Sequence, residues 1–309
     1  MILLWGLTED SPMNMVHEEL VQSGADIFYL DHRDIFNCEI EHTYSKEKGE
    51  RCLLHNRGRI LDMKDVGAAY IRPYNFREYE EMQGRNIDDP VAIKAGGFEM
   101  YLTAWLDASD AYVVNRSAPS ATNNSKPLQL SLLRQAGFKI PETLITNSAP
   151  EAKHFLKANS DVIFKSISGV RSIVEKVSAA HELQLDDVQW CPTLFQKVVP
   201  GNNYRVHVVN DEVFAVRIES DRLDYRYGNT TMEAEELPAE IAGKCCKITS
   251  SLGLHLSGID LMRTPAGEWY CFEVNPSPAY SYFEMNSGVP VSKAIAKALI
   301  QANKAGAPL

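Results

Sequence analysis

Three oxygen-bearing side chains near the end of the chain, Asp260, Glu273 and Asn275, have the types and spacing of a magnesium site. They lie in two short apolar segments that are joined by the turn-forming residues 264–267. Side chains alternate along a strand, so Glu273 and Asn275 share a face, and a hairpin partner brings Asp260 beside them. Magnesium prefers such oxygens, together with phosphate and water. The pattern predicts a magnesium-nucleotide site, and the alternative is an ordinary hairpin with a polar solvent face.

A lysine and a loop of small residues in the middle of the chain suit phosphate binding. Lys165 ends an apolar segment, and the loop after it contains Ser168 and Gly169. Backbone amides of such a loop can bind phosphate oxygens while the lysine neutralises their charge. Taken singly, this pattern also fits an ordinary connection between strands.

Two arginines lie in the segments that follow. Arg205 alternates with valines and shares one strand face with His207, and Arg217 lies on the next predicted strand. A guanidinium matches phosphate or carboxylate oxygens, although each arginine alone also suits a surface ion pair. We predict that Arg205 and Arg217 are catalytic cations and that His207 supports them.

Composition limits the class of protein. The chain has 309 residues, a net charge of −10, 45% hydrophobic residues and 23% charged residues, as expected for two or three packed units of a globular protein. The acidic balance argues against nucleic acid and anionic membranes as partners, so we expect a small or peptidic partner. The six cysteines form no C-x-x-C pair, which predicts neither a zinc site nor disulfides. The absence of a signal-peptide pattern and of a transmembrane-length apolar run predicts a cytoplasmic location.

The hydrophobic pattern predicts an α/β unit first. A β-helix-β order over residues 2–30 favours a small parallel sheet, and a boundary follows near Asn115. Further strands of this unit are predicted over residues 39–44, 51–54, 68–72 and 111–114, with a helix over 93–109. The second half is predicted to contain helices over 126–137, 149–158 and 239–252, strands over 141–146 and 162–165, and one antiparallel sheet of strands 194–199, 204–209 and 212–218.

The order of these features resembles the ATP-grasp superfamily over about residues 115 to 290. The pair Ile259-Asp260 together with Phe272-Glu273-Val274-Asn275-Pro276 is the most specific element of the resemblance. Within the superfamily, the chain is most similar to the ribosomal-protein glutamate ligases and to the graspetide (microviridin-type) peptide maturases. That likeness rests on residues 141–146, 165–169 and 224–226.

The resemblance implies an α/β and α+β architecture, an ATP-grasp fold preceded by a small parallel-sheet domain. Residues 1–115 would form the preceding domain, residues 116–199 a linker helix with the small lobe, and residues 200–309 the large lobe with the metal site. ATP would lie between the two lobes.

The same resemblance implies roles for individual residues. The phosphates of ATP would contact Lys126, Lys165, Ser168 and Gly169, and adenine and ribose would contact Gln196, Lys197, Val198, Val199 and Asn203. Asp260, Glu273 and Asn275 would hold two Mg²⁺ ions, or Mn²⁺ in their place. Lys197 and Asn203 depart from the acidic residues that are common at their positions, and Ala279 replaces a common glycine.

The implied chemistry is attack of a substrate carboxylate on the γ-phosphate of ATP, followed by capture of the acyl phosphate by an amine or hydroxyl. The leading prediction is a carboxylate-amine ligase that adds an amino acid to, or cross-links, a peptide or small protein. The substrate is predicted to contact Arg72, Asp224, Tyr225 and Arg226, for which capping or ion-pair roles are the alternative. The rival functions are a graspetide-type macrocyclase that forms ester or amide links and a non-catalytic ATP-binding regulator. Assembly into a homo-oligomer is left as an open possibility.

Overall fold

The first unit is built on a parallel sheet with the strand order β2-β1-β6-β7. The computed structural model describes residues 1–47, 49–167, 175–178, 185–220 and 230–305 of the chain. The strands of this sheet are β1 (Ile2–Gly6), β2 (Ile27–Asp31), β6 (Ala68–Arg72) and β7 (Tyr112–Val114). The predicted small parallel sheet is therefore confirmed. A separate antiparallel sheet is inserted after β2 and consists of β3 (Glu39–Ser45), β4 (Gly49–Asn56) and β5 (Arg59–Asp62).

Two helices cover the two faces of the parallel sheet. Helix α1 (Ser11–Gln22) packs on the face that carries Ile2 and Leu4, and α2 (Pro90–Ala108) packs on the other face. The side chain of Asp10 begins α1 by accepting a hydrogen bond from the amide of Met13. Both helices have proline in the first turn, where no intrahelical amide partner is lost.

The small lobe follows the short helix α3 (Ser117–Ser120) and the linker helix α4 (Lys126–Gln135). Its sheet has the order β10-β9-β11-β8, and α5 (Ala149–Ala158) covers one face. The strands are β8 (Thr143–Thr146), β9 (Val162–Ser166), β10 (Glu175–Lys176) and β11 (Thr193–Lys197). The prediction that β11 shares a sheet with the next two strands is wrong, because β11 pairs with β8 and β9 instead.

The large lobe is a five-stranded sheet with the order β14-β13-β12-β15-β16. Its strands are β12 (Asn202–Val209), β13 (Glu212–Ser220), β14 (Thr230–Ala234), β15 (Leu256–Arg263) and β16 (Trp269–Asn275), and α6 (Ala239–Ser251) covers one face. The predicted hairpin is confirmed, because β15 and β16 pair in antiparallel register. Strand β12 lies at the centre of this sheet and is buried from Tyr204 onward, so it has no solvent face.

Two helices at the end of the chain, α7 (Ser281–Ser287) and α8 (Val291–Ala305), were not predicted. The apolar residues of α8 recur at helical spacing, at positions 291, 294, 295, 298 and 299, so the sequence contained the signal. These residues join Leu4 and Tyr70 of the first sheet to Val216 of the large lobe in one hydrophobic cluster. The boundary predicted near Asn115 therefore separates two sheets that share a core.

In the described residues, no helix has both the length and the apolar character needed to cross a membrane.

Candidate active site

The predicted metal ligands lie together on one face of the β15-β16 hairpin. Asp260 and Glu273 are cross-strand partners, and Asn275 is the partner of Gly258. A register shift between Asp260 and Leu261 places one extra residue in β16, as in a β-bulge. The described residues contain no group of three or more His, Cys, Asp or Glu side chains that could by itself hold a metal ion. Two carboxylates and one amide oxygen form an incomplete donor set, which fits a hard cation that also binds phosphate oxygens and water.

Arg205 is buried on β12 directly beside this hairpin. Its cross-strand partner is Asp260, and Nη1 donates to Oδ1 of that carboxylate over 2.7 Å. Its Nε donates to Nε2 of His207 over 3.5 Å. Burial, and then the charge of Arg205, hold the pKa of His207 far below its ordinary value, so the ring is neutral and can accept this hydrogen bond. The predicted supporting role of His207 thus has a geometric basis.

Gly258 makes room for the Arg205 guanidinium. A Cβ atom at this position would lie 2.4 Å from Nη2 of Arg205 and 2.6 Å from Cβ of Pro278, closer than real Cβ contacts occur. Only glycine fits here without moving the arginine or the loop that follows β16. No role for Gly258 was predicted, although a glycine inside a predicted strand often marks such a close approach.

Lys126 reaches the site from the first turn of α4. Its Nζ donates to Oε2 of Glu273 over 2.7 Å, and the lysine side chain is nearly buried. Burial alone would raise the pKa of Glu273, but Lys126 foremost, with Lys165 and Arg205, lowers it below its usual value. Glu273 is therefore ionised at neutral pH, as a metal ligand must be.

Lys165 lies on β9 of the small lobe and faces the same group of charges. Burial foremost, and then Lys126, lower its pKa, whereas Glu273 and Asp260 act in the opposite direction. The small and large lobes therefore contribute to one electrostatic cluster of three cations and two carboxylates. The cluster has one more positive than negative charge, so it is suited to bind a polyanionic ligand. The predicted phosphate-loop residues Ser168 and Gly169 lie outside the described residues.

The segment predicted to contact adenine ends the small lobe. Gln196 is almost fully buried, and its Nε2 donates to Oγ1 of Thr143 over 3.0 Å. The amides of Lys197 and Val198 donate to the carbonyls of Glu142 and Asp161, each over 2.9 Å. Since an amide has one proton to donate, the predicted contact with adenine would have to use other backbone groups of this segment. Val199 is half-buried where the segment ends.

Asn203 and Arg217 have different relations to the site. Asn203 precedes Arg205 by two residues and so shares its strand face. Arg217 is the cross-strand partner of Tyr204 and lies on the other face of the sheet. There it forms ion pairs with Glu219, Glu233 and Glu235. The structure therefore places Arg217 on the opposite face of the sheet from Arg205, and its catalytic role stays a prediction.

Of the four residues predicted to contact the substrate, the structure describes Arg72. Arg72 makes hydrogen bonds to Asp10, to Oγ of Ser277 and to the carbonyl of Pro278. These contacts place Arg72 beside the segment that follows Asn275, and its contact with a substrate stays a prediction. The other three predicted residues, Asp224, Tyr225 and Arg226, lie outside the described residues.

Residues 122–299, more than half of the chain, match the RimK-like ATP-grasp domain. The chain belongs to the RimK-like ATP-grasp family. The predictions of an ATP-grasp fold and of a ligase are confirmed, and ATP-grasp ligases use ATP and magnesium. The coenzyme gamma-F420-2:alpha-L-glutamate ligase of Methanococcus maripaludis is 27% identical over 213 residues, which cover 64% of this chain and 74% of that protein.

Two solved structures resemble this RimK-like ligase over almost its whole length. A Chryseobacterium gregarium RiPP-associated ATP-grasp ligase, solved with ADP and a leader and core peptide, has a TM-score of 0.84 and 22% identity. It covers 97% of this chain and 96% of its own. The ATP-grasp ligase PsnB, solved with a minimal precursor, has a TM-score of 0.80 and 25% identity, and covers 97% of this chain and 98% of its own. The likeness therefore includes the first unit as well as the ATP-grasp lobes.

Proposed function

We propose that this protein is an ATP-dependent carboxylate-amine ligase that activates a carboxylate as an acyl phosphate and modifies a peptide or small protein. The observation that carries the proposal is the convergence of Lys126, Lys165 and Arg205 with Asp260 and Glu273 at one place between the lobes. The sequence separates these groups widely, and the fold brings them together with opposite charges interleaved. A binding protein without turnover would not require this full set.

Each group has a task in phosphoryl transfer. Lys126 and Lys165 would bind the phosphates, and Arg205 would neutralise charge on the reacting phosphate and acyl group. Asp260, Glu273 and Asn275 would hold two Mg²⁺ ions, or Mn²⁺ ions in place of Mg²⁺. Magnesium bound there would withdraw charge from the phosphate oxygens.

The reaction requires no nucleophilic side chain of the protein. An oxygen of the substrate carboxylate attacks the γ-phosphorus, and the bond from that phosphorus to the bridging oxygen breaks to release ADP. The amine then attacks the acyl carbon, phosphate leaves with the bonding electron pair, and the amine loses one proton. The task of the protein is to position these groups and to exclude water from the acyl phosphate.

A peptide substrate is supported by the two ligases solved with precursor or with leader and core peptides, whose likeness extends over 97% of this chain. This observation also favours the second candidate, a macrocyclase that forms ester or amide links between side chains. The glutamate ligase relative instead favours addition of an amino acid. Substrate contacts by Asp224, Tyr225 and Arg226, a cytoplasmic location and a homo-oligomer stay predictions.

The products distinguish these possibilities. The purified chain is incubated with ATP, magnesium and a panel of acidic peptides and amino acids, and ADP, phosphate and peptide mass are measured. Loss of one water mass per link indicates cross-linking, and a gain of one residue indicates amino-acid addition. A heavy-oxygen label in the substrate carboxylate should appear in the released phosphate. Tight ATP binding without ADP release across the whole panel would reject the ligase.

A further inference from the structure

Asn275 ends β16, which is an edge strand of the large sheet, so one side of its backbone lacks a neighbouring strand there. A strand edge carries amides and carbonyls that need partners. Three side chains from outside the hairpin, Gln129, Asn115 and Arg72, bind the backbone immediately before and after Asn275. None of the three was predicted to act on the metal ligands.

Gln129 occupies the edge of β16 beside Asn275. Its Nε2 donates to the carbonyl of Val274 over 2.7 Å, and its Oε1 accepts from the amide of the same residue over 3.3 Å. The side-chain amide thus takes the place of a neighbouring strand. Gln129 is 2% exposed and lies one turn after Lys126 on α4. One turn of this helix therefore holds both the carboxylate of Glu273 and the backbone that follows it.

Asn115 holds the residue after Asn275 from the end of the first unit. Its Nδ2 donates to the carbonyls of Leu256 and Pro276 over 2.7 and 2.6 Å. Its Oδ1 accepts from the amides of His255 and Leu256 over 2.8 and 3.1 Å. The amide therefore uses both of its protons and both of its oxygen lone pairs. It ties the start of β15 to the end of β16.

Arg72 holds the next two residues from the end of β6. Its Nη1 donates to Oγ of Ser277 over 3.0 Å and to the carbonyl of Pro278 over 3.2 Å. The amide of Ser277 in turn donates to Oδ1 of Asn275 over 2.9 Å. Arg72 thus acts, through Ser277, on the amide oxygen predicted to bind the metal.

We propose that Gln129, Asn115 and Arg72 are positioning residues that fix Asn275 and so set the affinity of the site for its divalent cation. This inference rests on the proposed function. Two of the three residues belong to the first unit or its boundary, so that unit takes part in metal binding without touching the metal. Groups that orient metal ligands from the second layer typically change metal affinity about 10- to 100-fold when they are removed.

The test measures metal affinity separately from turnover. Mn²⁺ is titrated against the full chain saturated with ADP and detected by electron paramagnetic resonance, and the melting temperature is recorded in parallel. Gln129→Met keeps the side-chain volume but removes both hydrogen bonds, and we expect Mn²⁺ to bind about 10-fold more weakly. The matched control is Ser257→Ala, which removes the buried hydrogen bond of 2.7 Å between Oγ of Ser257 and Oγ1 of Thr249 in the same lobe. The control should lower the melting temperature and leave the Mn²⁺ affinity within about twofold.

Arg72→Lys provides an independent variant if Gln129→Met does not fold. It keeps a positive charge beside Asp10 but cannot reproduce the planar guanidinium contacts with Ser277 and Pro278. Weaker Mn²⁺ binding with unchanged affinity for ADP in the absence of metal supports the inference. Wild-type Mn²⁺ affinity in a folded variant overturns it while the proposed function stands. Failure of the wild-type chain to bind Mn²⁺ with ADP overturns both.

Discussion

Lys126 donates a hydrogen bond to Glu273, a residue 147 positions later in the chain, over 2.7 Å between Nζ and Oε2. The cation predicted to bind phosphate and the carboxylate predicted to bind metal are thus already neighbours. Arg205 and Asp260 form the equivalent pair on the adjoining strands. Since each carboxylate has its own cation, the site is held together by pairs whose partners come from different elements.

The role of Glu273 is tested by Glu273→Gln. This change keeps the side-chain volume but removes a metal carboxylate and the anion beside Lys126, so we expect ADP formation to fall at least about 100-fold while the fold is retained. Steady-state release of ADP and phosphate measures the effect, and circular dichroism checks the fold. Glu268→Gln is the control, because Glu268 lies in the turn of the same hairpin and pairs with the exposed Lys139. Full activity in Glu273→Gln would remove this carboxylate from the mechanism.

Gly258→Ala tests the space that the Arg205 guanidinium occupies. The added Cβ would force Arg205 or Pro278 to move, so we expect about 10-fold or greater loss of turnover and about 1–3 kcal/mol of destabilisation. Urea denaturation and ADP release are the measurements. Gly243→Ala is the control, because a Cβ there meets no atom within 4 Å inside α6. Alanine favours that helix by about 1 kcal/mol. Equal activities of the two variants would contradict a requirement for glycine at position 258.

Arg217→Gln tests the predicted catalytic role of Arg217. Arg217 lies on the face of the sheet opposite to Arg205 and pairs with surface glutamates. We expect turnover within about threefold of wild type and little change in the melting temperature, because exposed ion pairs contribute little to stability. In Arg205→Gln, by contrast, Asp260 loses its cation, and we expect turnover to fall about 100-fold. A comparable loss of turnover in both variants would instead support a catalytic role for Arg217.

His32 gives the first unit a predictable pH dependence. It is fully buried, its Nδ1 lies 2.8 Å from Oη of Tyr79, and its ring stacks on Trp5. Burial lowers the pKa of His32 to about 4, from an ordinary value of 6.5, against the opposing charge of Asp31. The unfolded chain therefore binds this proton at higher pH than the folded chain does. The free energy of unfolding should fall as the pH decreases from about 6.5 to 4, by at most about 3 kcal/mol from this residue.

Urea denaturation of His32→Gln across the same pH range checks this expectation. Burial raises the pKa of Glu99, whose Oε2 lies 3.8 Å from Nε2 of His32, and this carboxyl changes the stability in the opposite direction over the same pH range. The variant should lose less stability than wild type between pH 6.5 and 4. His154→Gln, at an exposed position on α5, serves as the control. Parallel pH profiles for wild type and His32→Gln would show that His32 is not held neutral.

The sequence by itself determined the local parts of this protein. Successive side chains of a strand point to opposite faces, so Glu273 and Asn275 share one face. The turn residues between the two segments place Asp260 on the partner strand. The sequence also determined the face on which Arg217 lies. The two-residue turn after Val209 sets Tyr204, rather than Arg205, opposite Arg217, and a shift of one residue changes the face of every side chain.

Only the tertiary structure decided which distant groups meet. The pairing of Lys126 with Glu273, the placement of β11 in a separate sheet and the hydrogen bonds of Asn115 and Gln129 to the metal strand all join segments far apart in the chain. Local propensity carries no information about these contacts, because they depend on how whole elements pack and on which buried backbone groups then lack partners.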